Sequence, residues 1–422
     1  MRTMFIFMTL LLSLTSCCKD PFASPCDNPP CDTIPAIDTS KIKFLWFKTL
    51  FEGKNVSQGT NLYFDKGDLI VTIIPSDISL PAEVRKLSLP DLEVKWRWSG
   101  IPENYYTSEH IQEDQDVFVV SNWSRSASLN LMTGSPYWQD DVFPEKSGNP
   151  STNLVGSYLY QTQKNINSHQ NTEAHLMRRD LRNSQSWDTI YSLYREDVNG
   201  FRPNIESVAY WQDPNSGDSI LVFQHRMVIV GSIHSRNDII AWNLSKDELL
   251  WRVDSFPVRS FNVKAPIIHH NIALFMTGKS IYAFDLILGK LIYTTTFEES
   301  NFINFTGSYA NIYDNTLIVW DVNGTLIAGI DPSTGQTRWK HVKESSYSGS
   351  AQYASFVRYG PYLINGNFNQ LDVIRISDGK IMYQLYNTGW LYKGRMVLDE
   401  EKRLLYAATE KHIICYQLPE DF

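Results

Sequence analysis

Ile330-Asp331-Pro332-Ser333-Thr334-Gly335-Gln336-Thr337-Arg338-Trp339 reads as the end of an apolar strand, a tight polar turn closed by glycine, and a second strand carrying a tryptophan. The phrase returns as Phe284-Asp285-Leu286-Ile287-Leu288-Gly289-Lys290-Leu291-Ile292-Tyr293 and as Ile374-Arg375-Ile376-Ser377-Asp378-Gly379-Lys380-Ile381-Met382-Tyr383. Degenerate copies end at Trp96, Trp138, Trp187 and Trp251. The seven aromatics are separated by 42, 49, 64, 42, 46 and 44 residues. Most of these gaps fall near the roughly 40–45 residues of a four-stranded propeller blade. The widest holds Asp213-Pro214-Asn215-Ser216-Gly217-Asp218, read as a turn-rich insertion before Ile220.

Each unit resolves into four short strands. In the sixth, residues 308–313 and 316–320 flank Asp314-Asn315, a hairpin turn by composition, and 325–330 and 336–342 flank the Asp-Pro-Ser-Thr-Gly turn. Asp65-Lys66-Gly67-Asp68 and Asp399-Glu400-Glu401-Lys402 mark the same turn in the first and last units. Evenly spaced short strands without helical periodicity predict an all-β fold built by radial repetition. The last unit has strands at 395–398, 404–409 and 412–418 but no fourth. Lys43-Phe44-Leu45-Trp46-Phe47-Lys48-Thr49-Leu50 is an orphan strand carrying the aromatic of a fourth strand. Joined to the tail, it completes an eight-bladed β-propeller of four-stranded antiparallel blades over residues 43–422, the ring closed by the N-terminal strand. A blade cannot bury both faces alone, so a large flat side chain wedged against its neighbour supplies burial worth roughly 2–3 kcal/mol per ring.

The rest of the composition narrows the compartment and the chemistry. Thirty-eight basic against 46 acidic residues give a charge of −8, which disfavours phosphate-dominated nucleic-acid binding. Five cysteines in 422 residues exclude a disulfide-dense miniature scaffold. No apolar run reaches the roughly 20 residues of a spanning helix. Residues 4–14 (MFIFMTLLLSL) behind Arg2 read as a brief secretory signal. Leu14-Thr15-Ser16-Cys17 resembles the lipobox of bacterial lipoproteins, which implies a signal peptide over 1–16 and a lipid on Cys17. The competing reading is ordinary signal-peptidase cleavage with Cys17 as a chance thiol. Lys19-Asp20 resembles surface-export signals of some lipoproteins, too short a match to choose a membrane face.

Residues 17–42 hold five prolines and no apolar period, the composition of a tether. Cys26 and Cys31 lie close enough in sequence for an oxidising compartment to close a small loop. A metal site there lacks a nearby histidine.

An apolar strand, Asp-x-x-Thr-Gly and then Trp is similar to the pyrroloquinoline-quinone-like propeller repeat. That superfamily includes quinoprotein alcohol and glucose dehydrogenases and the non-catalytic propeller lipoprotein of the outer-membrane β-barrel assembly machinery. The resemblance covers residues 43–422 and speaks for fold more than function. Quinoprotein dehydrogenases place a vicinal disulfide beside the quinone, whereas Cys17-Cys18 sits at the lipobox. Their catalytic Asp and calcium-binding Glu and Asn motifs match nothing here, and no Cys-x-x-Cys-His for haem occurs. The expectation is a non-enzyme without cofactor or metal.

Other chemistry is no better represented. His269-His270 are adjacent on a strand, so their side chains are expected on opposite faces, one packed and one exposed. Asp114, Asp116, Asp140 and Asp141 read as solvated turn residues, and Cys415 as an inert buried thiol. The stretch 163–173 (QKNINSHQNTE) reads as a polar loop. By the superfamily's geometry, connections between blades and between second and third strands share one rim. The rim candidates for binding are Tyr105, Tyr106, Trp123, Arg125, His234, Arg236, Arg259, Tyr347, Asn367 and Phe368, of the residue types common in binding hot spots or beside them.

These readings combine into a lipid-anchored, non-enzymatic scaffold that binds envelope proteins at the outer membrane, as the assembly-machinery lipoprotein does. The alternatives are a surface-exposed propeller binding a ligand such as a glycan and, behind it, a quinone-dependent dehydrogenase.

Overall fold

In the computed structural model the described residues are 41–50, 61–74, 81–100, 108–112, 115–121, 125–140, 152–167, 170–183, 187–195, 202–206, 208–228, 235–256, 265–299, 303–305, 309–321, 325–342, 355–367, 370–385, 395–409 and 411–422. The chain divides into two units, Met1–Asp38 and Thr39–Phe422, and all the described residues belong to the second. That unit is all-β, with eight antiparallel sheets, seven of them laid down wholly in chain order. Blades 1 to 7 span residues 61–98, 108–139, 152–194, 202–256, 267–296, 309–342 and 355–385, and blade 8 spans 397–417. Blade 8 is completed by the leading strand Lys43–Thr49, which pairs antiparallel with His412–Gln417 through Phe44↔Tyr416 and Trp46↔Cys415.

Among the described residues, the buried apolar side chains cluster between neighbouring blades. Leu317, Val319 and Ala328 of blade 6 pack on Leu274, Ile281 and Ala283 of blade 5. Leu62, Leu69 and Val71 of blade 1 pack on Tyr406, Ile413 and Cys415 of blade 8, with Trp46 against them. The ring closure is therefore a packed interface of the same kind as the others.

A bulge recurs in the fourth strand of every blade, one residue before the aromatic. In blade 5, Ala283 pairs with Tyr293 and Phe284 with Leu291, so Ile292 is left over. In blade 6 the pairs are Gly329↔Trp339 and Ile330↔Thr337. Blade 3 corrects the sequence reading. There the pairs are Leu176↔Tyr191 and Met177↔Thr189, so Tyr191 holds the wedge position and Trp187 precedes the strand. Aromatic type alone did not fix the register. Trp187 instead turns back to blade 2: its ring meets Trp138 edge-on, 6.0 Å between centroids, and its Nε1 donates to Asp140 Oδ2 at 3.0 Å.

The repeated phrase is explained by a lock between blades. Trp96, Trp138, Trp251 and Trp339 each donate their indole N–H to a carbonyl in the third-to-fourth-strand turn of the next blade, that of Leu131, Asp180, Leu286 and Ile376. The hydroxyl of Tyr293 does the same to Pro332. The turn glycine lies beneath the ring: at Gly379, φ is +73° and a Cβ would stand 2.5 Å from Trp339 Cδ2. Gly134, Gly289 and Gly335 hold equivalent places under Trp96, Trp251 and Tyr293. The Asp of the phrase caps the turn, as Asp331 Oδ1 accepts from the backbone N–H of Ser333 and Thr334 at 2.9 and 3.2 Å. Arg338 and these amides hold the Asp331 carboxyl below its ordinary value.

Two further readings are revised. The stretch 163–173 lies in a long hairpin, Tyr158–Asn167 against Gln170–Asp180, with Gln163↔His175 and Asn167↔Gln170 in register. Asp213–Asp218 is the ordinary first-to-second-strand turn of blade 4, not an insertion. The extra length lies in a first strand broken into Arg202–Ile205 and Ala209–Gln212, both paired to Ser219–Val228.

Candidate functional site

Of the residues expected on the binding rim, Tyr105, Tyr106, Trp123, His234, Arg259, Tyr347 and Phe368 lie outside the described residues, as do Cys17, Cys26 and Cys31. Arg125 is described just before the third strand of blade 2, Arg236 within Ser235–Asn243 of blade 4, and Asn367 at the end of Tyr362–Asn367 of blade 7. All three stand at the end of the sheet where second and third strands connect, on three different blades.

The described surface has a shallow, open depression at the opposite end, between blades 4 and 5. It encloses about 450 Å³ and is lined by Trp211, Gln212, Pro214, Asn215, His270, Asn271 and Ile287. The first-to-second-strand turns of both blades supply most of the wall, and Leu286 N–H donates to Asn271 O at 2.8 Å, fixing the Ile287 turn against them. The Trp251 indole holds the same turn from blade 4 at 2.7 Å.

Beside the depression runs an exposed aliphatic flank made of Leu249 and Leu250 of blade 4 and Ile287, Leu288, Leu291 and Ile292 of blade 5, Leu288 being 61% exposed. Leu250 and Ile292 are the bulge residues of their strands, the positions that pairing leaves over. Exposed large aliphatics on neighbouring blades are the residue type from which apolar interaction surfaces are built. The parts of the flank come from two blades on the rim opposite the expected binding loops, so they are not adjacent in sequence. Three successive large aliphatics, Leu286-Ile287-Leu288, in a turn that blade 6 fills with Pro332-Ser333-Thr334 were the available signal.

Several of the described titratable groups sit differently from the sequence reading. His269 is buried and His270 exposed, as expected, yet they do not face apart: His270 takes φ +54° and its ring lies 4.2 Å from that of His269. Burial, with His270 second, lowers the His269 pKa. Asp116 is a turn residue at φ +52°, paired to Lys66 at 2.8 Å. Asp140 departs from the solvated reading: it is buried, ion-paired to Arg179, whose guanidinium lies 4.1 Å from the Trp138 ring. Asp114 and Asp141 lie outside the described residues. Cys415 is fully buried and burial pushes its thiol up to about 12, so it carries no thiolate.

Blade 4 also buries an unusual amount of polarity. Asp238, fully buried, is ion-paired with Arg252 and accepts the Ser255 N–H at 2.8 Å. His225 lies opposite Asp238 across the strands, its ring 5.1 Å from that of Tyr191. Burial, with Arg252 beside it, lowers its pKa to about 3. This histidine is neutral at physiological pH and packs as a ring.

The family model described as outer membrane protein assembly factor BamB matches residues 187–416, more than half of the chain. No curated protein matches the sequence. Among solved structures, BamB from Moraxella catarrhalis superposes with a TM-score of 0.55 at 12% identity, covering 89% of this chain and 100% of that one. A europium-containing methanol dehydrogenase gives a TM-score of 0.61 at 10% identity over 90% of this chain and 94% of its own. Quinohemoprotein alcohol dehydrogenase from Comamonas testosteroni gives 0.61 at 10% over 92% and 79%. These likenesses are of fold. A calcium-bound quinone would need a carboxylate-rich cation site, and among the described residues no three His, Cys, Asp or Glu side chains are grouped to hold a metal ion. The described donor set does not fit that group. With eight blades, the interblade aromatic lock and a family match running from the fourth strand of blade 3 into blade 8, this chain belongs to the BamB family of PQQ-like β-propellers.

Proposed function

We propose that the protein is a lipid-anchored, non-enzymatic scaffold of the bacterial cell envelope that docks partner proteins, with a role in outer-membrane protein assembly. The observation that carries the reading is the aliphatic flank of blades 4 and 5 beside the depression under Trp211. It offers shape and apolar contact, and the groups lining it include no nucleophile paired with a base. Family membership and the lipobox-like Leu14-Thr15-Ser16-Cys17 support an outer-membrane setting. The rim candidates, from Tyr105 to Phe368, belong to the proposal as a second contact area.

The test is crosslinking in intact envelope followed by capture of the protein. Leu249→Asp with Leu288→Arg alters two exposed side chains and leaves the interblade packing alone. A protein partner captured by the parent chain and lost by this variant, at equal thermal stability, is the expected result. Absence of any stable protein partner, or capture unchanged by the variant, overturns the reading.

A second reading, a surface-displayed propeller binding a glycan, is favoured by one feature: an indole, Trp211, within a depression also lined by the amides of Gln212, Asn215 and Asn271. Protease shaving of whole cells separates the two, since cleavage favours outward display and protection favours the periplasmic scaffold.

A further inference from the structure

The leading strand Lys43–Thr49 is the outermost strand of blade 8, and its surface differs from its seven counterparts. Phe44, Leu45 and Phe47 are 48%, 45% and 49% exposed, and the Phe44 and Phe47 rings lie 6.4 Å apart. Only Trp46 turns inward, onto Tyr406. Leu45 is the bulge residue, pushed outward by the register shift between Phe44 and Trp46.

Lys41, Lys43 and Lys48 surround these apolar groups, all exposed. Neither this strand nor its partner His412–Gln417 contains a carboxylate. Several cations on other outer strands are neutralised: Lys95 pairs with Asp68, Arg338 with Asp331 and Lys340 with Glu299. Among the described residues no carboxylate lies within ion-pair distance of Lys41, Lys43 or Lys48; the Lys48 ammonium instead donates to the Asp91 carbonyl. The blades 4 and 5 flank, by contrast, combines its aliphatics with Glu248 and Asp254. A basic, apolar strip on a chain of net charge −8 is complementary to an anionic lipid surface.

We propose that the leading strand is a lipid-facing surface: Phe44, Leu45 and Phe47 enter the headgroup layer, and Lys41 and Lys43 meet lipid phosphates. Chain order supports this occupant. Lys43 begins the strand directly after the stretch 17–42 that links it to Cys17, so the strip is the part of the fold tied most closely in sequence to the anchor. Tethering raises the effective concentration of membrane at this site, which makes a contact too weak to hold alone well populated. The inference rests on the lipid-anchor reading of Cys17 and goes beyond it by orienting the ring, with blade 8 towards the bilayer and blades 4 and 5 away from it.

The experiment places p-benzoylphenylalanine at Phe47 and, separately, at Ile292 in the full-length processed protein. The protein is reconstituted in vesicles of phosphatidylethanolamine and phosphatidylglycerol and irradiated, and adducts are identified by mass. Lipid adducts several-fold more abundant at 47 than at 292, and reduced by Lys41→Glu with Lys43→Glu, are expected. Equal yields at the two positions, or adducts at 47 to protein in place of lipid in native membranes, overturn the proposal. Flotation of the same sample reports the anchor separately. Protein that floats without a preference at 47 sinks only the surface, and protein that does not float sinks the anchor reading and this orientation with it.

Discussion

Replacing Gly379 by alanine tests the interblade lock at one of its close contacts. The residue holds φ +73°, and a Cβ there would stand 2.5 to 2.7 Å from three atoms of the Trp339 indole. The left-handed backbone costs about 1–2 kcal/mol for a residue with a Cβ. Forcing a methyl group against a packed ring adds about 1–3 kcal/mol, because Trp339 is buried and its N–H is tied to Ile376 O at 2.8 Å. The expected loss is about 2–5 kcal/mol. Gly360→Ala separates the two parts: φ is +54° but nothing lies within 4 Å of its Cβ position, so only the backbone cost of about 1–2 kcal/mol applies. Trp339→Ala alone should cost about 3–5 kcal/mol. Combined with Gly379→Ala, it should cost less than the sum of the two by about 1–3 kcal/mol, since the ring that meets the methyl is gone. The assay is urea unfolding followed by far-ultraviolet circular dichroism, with all four variants compared at constant slope. Equal losses for Gly379→Ala and Gly360→Ala, or strict additivity in the double variant, would refute the lock.

Three other outcomes follow from the same interfaces. Deleting residues 43–49 should open the ring and yield aggregated or non-cooperatively unfolding protein by size exclusion and calorimetry, whereas deleting 19–40 should leave the melting temperature nearly unchanged; parity of the two deletions would contradict the closure at Trp46↔Cys415. His225 has a folded pKa of about 3, depressed by burial from its ordinary value of 6.5, so its contribution is intact above pH 6.5 and declines as the unfolded chain alone takes up the proton on acidification. Relative to His225→Leu, the parent should therefore lose about 1.4 kcal/mol per pH unit between roughly pH 6 and 4 in urea titrations, and parallel pH profiles would show that the ring is solvated. Cys415 should resist iodoacetamide at pH 8 in the folded protein and react in urea, read from the mass of its peptide; rapid native alkylation would contradict its complete burial.

The fold was legible where its causes are local. Asp331, Gly335 and Trp339 fall within one phrase, and capping, a left-handed turn and an interblade ring are each short-range requirements that repeat with the blade. The Asp314-Asn315 hairpin is of the same kind, both residues at positive φ as a two-residue turn demands. Register was less legible. Trp187 and Tyr191 differ by four positions, and only the bulge opposite Leu176 and Met177 decides which of them wedges. Polar composition misled at 163–173, where pairing between long strands outweighs side-chain type, and at Asp140, whose burial depends on Arg179, 39 residues away. The depression at Trp211 was the least legible feature, because residues from two blades meet there only after the ring has formed.

The split blade has a consequence for how this ring can be rewired. Because Lys43–Thr49 is held to His412–Gln417 by hydrogen bonds and packing and not by a peptide link, the first and last strands of the ring meet inside one blade. A circular permutant that starts before Asn61 and joins the tail through a linker to Lys43 would carry an unbroken eighth blade. Its opening and closing would then no longer depend on an intermolecular-like docking step, and the free ends would move to the seam between blades 8 and 1. Refolding rate in such a permutant would measure how much of the assembly time of the natural chain is spent finding its own beginning.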